Sequence, residues 1–98
     1  MTKHRETELA KAVELYLFDA GGKATIGQIR RNLPSYITLT DADRLPSTTR
    51  PGEEMWEQQV RNIVCHRDVI GNAVNAGKLR YTPRHLALAN GPQGELWS

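Results

Sequence analysis

The chain contains one cysteine, Cys65, so no disulfide can form within it. A lone thiol fits a reducing compartment, and a cytoplasmic location is the expectation. No run of 18 apolar residues occurs, which argues against a transmembrane helix and against a membrane partner. The opening residues Met1-Thr2-Lys3-His4-Arg5-Glu6 lack the apolar stretch and small-residue cleavage site of a secretory leader, so none is expected. Catalytic patterns are missing as well. No paired carboxylates stand near a plausible general acid, and no Gly-rich phosphate loop or nucleophile motif is present. Asp41 and Asp43 lack the glutamate-and-lysine pattern of a nuclease centre. Cys65 adjoins His66, but His4 and His85 are far off in sequence, so the ligand spacing of a zinc site is absent. The expectation is a chain that is not an enzyme by itself and that holds neither metal nor cofactor.

The 98 residues are 39% hydrophobic and 24% charged, which fits one soluble domain with one core. The formal net charge is only +2, but its distribution is uneven. Between Arg61 and Asn90 stand Arg61, Arg67, Lys78, Arg80 and Arg84 against the single acid Asp68, a surplus of four. His66 and His85 add potential cations there. Acids gather instead at Glu6, Glu8, Glu14, Asp41, Asp43, Glu53, Glu54 and Glu57. A one-sided basic surface is what a polyanion would need, although a merely solvated face has the same composition.

Leu9, Val13, Tyr16, Leu17 and Ala20 recur at steps of three and four, which predicts a first helix over about residues 2–20. Gly21-Gly22 stops it. After a short extended Lys23-Ala24-Thr25, the pair Thr25 and Gln28 forms a capping-box pattern that predicts a second helix over 26–33, ended by Pro34. The stretch 35–51 reads as irregular. Pro51 suits the first position of a third helix over about 51–67, with Trp56, Val60, Ile63 and Val64 as its apolar stripe. Asp68 could cap a further turn or two, until Gly77. Lys78–Thr82 and His85–Ala89 alternate with period two around Thr82-Pro83-Arg84, a β-hairpin with a basic tip. Residues 1–90 then form the domain, and 91–98 a tail or linker.

Helix, short strand, helix, loop, helix and hairpin is the order of a winged helix-turn-helix: mainly α, a three-helix bundle plus a wing. The run Trp56-Glu57-Gln58-Gln59-Val60-Arg61-Asn62, then His66-Arg67-Asp68, Gly71-Asn72 and Gly77-Lys78-Leu79, resembles the winged-helix domains attached to restriction endonucleases. Those domains are of the Mrr-type N-terminal kind or stand beside HNH nucleases. Gly21-Gly22-Lys23-Ala24-Thr25 followed by Ile29 matches their second helix, and the likeness covers roughly residues 7–90. It implies double-stranded DNA as partner, in a restriction or modified-base-sensing setting. The chain departs from the pattern in that no nuclease domain follows in this sequence. An excised domain with a nuclease partner, a stand-alone reader and a homodimer all remain open.

On such a helix Arg61 can pair with guanine and Asn62 with adenine. The competing reading has Arg61 paired with Glu57 and Asn62 facing water. Gln58, Gln59 and His66 share the exposed flank. Arg67, Lys78, Arg80 and Arg84 suit phosphate better than bases, and Thr49 and Arg50 can reach DNA from the loop. Trp56 reads as a core anchor. A protein-interaction domain and a small transcription regulator are the alternatives, the first favoured by the acidic start of the third helix.

Overall fold

The computed structural model describes residues 2–89. Three helices and a small three-stranded antiparallel sheet make a mixed α/β domain, not a mainly α one with a hairpin alone, because the short strand expected at Lys23–Thr25 joins the hairpin. The helices are α1 (Glu6–Asp19), α2 (Ile26–Asn32) and α3 (Met55–Cys65), and the strands are β1 (Lys23–Thr25), β2 (Leu79–Thr82) and β3 (His85–Leu88). The sheet runs β1-β3-β2, so the hairpin's return strand is its centre. Lys23 pairs with Ala87 and Thr25 with His85 on one side of β3, while Leu79 pairs with Leu88 and Thr82 with His85 on the other. The tail expected at 91–98 lies outside the described residues.

Each helix start has a local cause. The Glu8 carboxylate accepts the Arg5 N–H at 2.8 Å and opens α1. Thr25 and Gln28 make both bonds of the anticipated capping box, at 3.0 and 2.9 Å. At α3 the Glu57 carboxylate accepts the Glu54 N–H at 2.9 Å, so the helix begins at Met55 and not at Pro51. Pro51-Gly52 is a turn instead, with Gly52 at φ 82°. The helix also ends earlier than expected. His66 to Lys78 is a chain of turns organised by Asn72, 4% exposed, which donates to the Ile63 carbonyl and to Glu6 Oε2, both at 2.9 Å. Asn72 Oδ1 accepts the N–H groups of Val74 and Asn75.

The core lies between α1, α3 and one face of the sheet. Leu9, Val13 and Leu17 from α1, Ile29 from α2, Leu33 beyond it, Val60 and Ile63 from α3 and Leu86 from β3 are fully buried. Trp56 is 5% exposed, as a core anchor should be, and its indole N–H donates to Glu54 at 2.9 Å. Period-two alternation places Leu79 inside and Arg80 outside. Truncating a residue such as Leu86 to alanine costs about 2–5 kcal/mol, since a close-packed site collapses only partly.

The N-terminal segment is pinned across the loop before α3. Asp43, 1% exposed, accepts the N–H groups of His4 (2.6 Å) and Thr40 (2.9 Å), and its Oδ2 lies 2.6 Å from His4 Nδ1. Burial alone would raise this carboxyl. Its hydrogen bonds to Thr40 and His4 outweigh that and hold it below the usual carboxylate value.

Candidate nucleic-acid interface

The hairpin turn is built by Pro83 and Arg84. Proline presets the first central position, and Arg84 takes φ 65° at the second, the requirement of a type II turn. The turn is fastened to the helices: the Arg84 carbonyl accepts the N–H of Ile26, the first residue of α2, at 2.9 Å. This brings the basic tip beside α2 and α3, and an open cleft of about 630 Å³ lies between them. Ile26, Val64, Cys65 and Tyr81 give it an apolar floor. Arg30 of α2, Arg50 of the loop, Arg61 of α3 and Arg84 of the turn converge on it, with His85 alongside. Arg67 stacks over the Tyr81 ring at 5.1 Å from its centroid, adding a further cation near that floor.

Two of these arginines are already paired. Arg61 Nε lies 2.9 and 3.0 Å from the two Glu53 oxygens, and its terminal nitrogen lies 2.7 Å from Oε2. Arg30 reaches Glu57 Oε2 at 2.8 and 3.1 Å and Glu53 at 3.4 Å. The Arg61 hydrogen bonds hold the Glu53 carboxyl below its ordinary value against the opposing effect of burial. The same bonds raise the Arg61 guanidinium. Arg50 and Arg84 form no salt bridge among the described residues.

The residues singled out from the sequence divide between two flanks of α3 and beyond. Arg61 lines the cleft, as do Arg50 and Arg84. Gln59 donates to the His4 carbonyl at 3.2 Å, Asn62 lies 3.5 Å from Gln59, and His66 Nδ1 lies 2.7 Å from Glu6. These three therefore face the N-terminal segment and α1. Gln58 accepts from Ser47, on the loop side. Thr49 is exposed in the loop, and its N–H bonds to Ser47 Oγ at 3.2 Å. Arg80 is exposed on β2, on the pleat opposite to Leu79. Lys78 lines a different hollow, against α1 beside Glu6 and Lys11. The partner of Arg61 is Glu53, eight residues back, and not the Glu57 expected from helical spacing. Arg30 lines the cleft as well. Its place on the second helix, from which it and Arg31 could touch a DNA backbone or face away, was legible in the sequence, but nothing there set it opposite the hairpin.

No family model, curated protein or solved structure matches the chain. Among the described residues, no helix is long and apolar enough to cross a membrane.

Proposed function

We propose that the chain is a winged helix-turn-helix module that binds double-stranded DNA and performs no chemistry itself. One observation carries this reading: arginines from four separate segments, Arg30, Arg50, Arg61 and Arg84, meet in one open cleft beside the hairpin tip. Arg30 and Arg61 are balanced by Glu57 and Glu53, but Arg50 and Arg84 form no salt bridge among the described residues, whereas a phosphate backbone rewards all four. The element order and the β1-β3-β2 sheet agree with a winged helix. A helix with its side chains is about 10–12 Å across, the width of the major groove. In this reading α3 supports the cleft, Arg50 and Arg84 meet phosphate first, and Arg30 and Arg61 follow by exchanging carboxylate for phosphate. The likeness to restriction-associated domains makes a modified-base reader the natural setting.

Anisotropy titration with matched methylated and unmethylated duplexes at two salt concentrations tests it. Affinity should fall steeply with salt, with a logarithmic slope near −0.9 for each phosphate contact. Arg84→Ala and Arg61→Ala, both removing phosphate contacts, should each weaken every duplex alike. Salt-independent affinity, or none at low salt, rejects the reading. One observation favours a protein partner instead: Glu53 and Glu57 make the cleft mixed in sign. A partner bound there would tolerate both charges, and its complex would be only weakly sensitive to salt.

A further inference from the structure

We propose that the outer face of α1 is a self-association surface, on which a second copy of this chain packs its own α1 antiparallel about a two-fold axis at Leu15. The starting point is apolar exposure at one place. Leu15 is 60% and Phe18 66% exposed, and with Leu88 of β3 they line a groove flanked by Lys11 and Glu14. Single exposed leucines are ordinary, but a leucine and a phenylalanine three residues apart, converging with a third apolar side chain, form a patch.

The charges on that face select the occupant. At 100° per residue, Lys11, Leu15 and Asp19 lie along one ridge of α1, four residues apart. A two-fold axis at Leu15 places residue 15−k of one copy against residue 15+k of the other. Lys11 then faces the second copy's Asp19, and Asp19 faces the second copy's Lys11, with the two Leu15 side chains meeting between them. Each Phe18 enters the groove beside the other copy's Lys11 stem. All four residues are exposed in the single chain, and Asp19, whose Oδ2 accepts the Tyr36 hydroxyl at 2.7 Å, has its other oxygen to offer the incoming lysine. A parallel arrangement would stack like charges, so the pattern is complementary to itself in one orientation. The face does not contribute to the arginine cleft, so this proposal stands whether or not the cleft binds DNA. One helix of 14 residues, about 21 Å long, offers a contact at the small end of specific interfaces, and a weak dimer with a dissociation constant of about 0.1 mM is the expectation.

Sedimentation equilibrium of the full chain from about 10 µM to about 0.5 mM, the range such a small interface requires, reads it directly. The chain should pass from monomer to dimer. Phe18→Glu should raise the dissociation constant at least about tenfold without lowering the melting temperature, because the side chain is exposed. Lys11→Asp and Asp19→Lys should each weaken the dimer, and the two together should restore it, a rescue that a structural effect of either change would not give. A chain monomeric throughout that range overturns the proposal, as happens if another segment or a different protein covers the face. So does a dimer that survives Phe18→Glu, or a charge exchange without rescue.

Discussion

Glu53→Gln should make the chain bind DNA more tightly, although it removes a salt bridge. Glu53 holds the Arg61 guanidinium by three contacts of 2.7–3.0 Å, with the side chains 31% and 12% exposed for Arg61 and Glu53. A solvated ion pair is worth about 0–1 kcal/mol, and a hydrogen bond to a charged group about 1.5–3 kcal/mol. At this partial exposure the lock is worth about 1.5 kcal/mol. A phosphate that takes Arg61 must first displace the carboxylate. Glutamine keeps one acceptor and removes the charge, so affinity should rise about three- to tenfold. The loss of any negative charge strengthens DNA binding a little, and Asp41→Asn, exposed and outside the cleft, supplies that baseline. The assay is anisotropy of a labelled duplex at fixed low salt, with melting temperatures measured in parallel. A gain no larger than that of Asp41→Asn refutes the idea that Arg61 exchanges carboxylate for phosphate.

Arg84→Gly should separate stability from binding. A non-glycine residue at φ 65° carries a strain of about 1 kcal/mol, so the melting temperature should hold or rise, while DNA affinity falls several-fold and the salt slope loses about 0.9. Asn72→Ala should cost about 2–3 kcal/mol in urea denaturation, because it removes the acceptor of the Val74 and Asn75 N–H groups and breaks the ties to the Ile63 carbonyl and to Glu6. An unchanged midpoint would show that Asn72 does not organise the turns. Asp43 has a depressed pKa in the folded state, so its stabilisation is complete above its unfolded value near 4 and lost as the pH falls through the folded value. Asp43→Asn should lower the melting temperature at pH 7 and flatten its decline in acid, and parallel acid limbs for the two proteins would contradict this.

What could be read from the sequence was local. The stripe of Leu9, Val13 and Leu17 marks α1, Thr25 and Gln28 mark the start of α2, and alternation around Pro83-Arg84 gives the hairpin its register. These signals depend on residues within a few positions of one another. The start of α3 was misplaced because two N-terminal signals competed. Pro51 fits a first turn, but Glu57 bonds back to Glu54 and sets the helix there. The helix ends at Cys65, two residues short of the expected 67, where Asn72 takes the Ile63 carbonyl that the Arg67 N–H would use in a continued helix, and the chain then turns at Gly71, φ 95°. The candidate site divided for a related reason. Periodicity shows which α3 residues avoid the core, but not which of its two outer flanks meets the hairpin and which meets α1. Glu53 lies before the helix, where spacing rules do not reach, and the contact of His4 with Asp43 spans 39 residues.

The claim that the arginine cleft is the DNA surface is tested most directly by following backbone amide resonances as a short duplex is added at low salt. The largest shifts should fall on Thr25, Gly27, Arg30, Arg50, Arg61, Tyr81 and Arg84, with Leu15 and Phe18 unmoved. Shifts that avoid the cleft, or a spectrum that does not change, would contradict it.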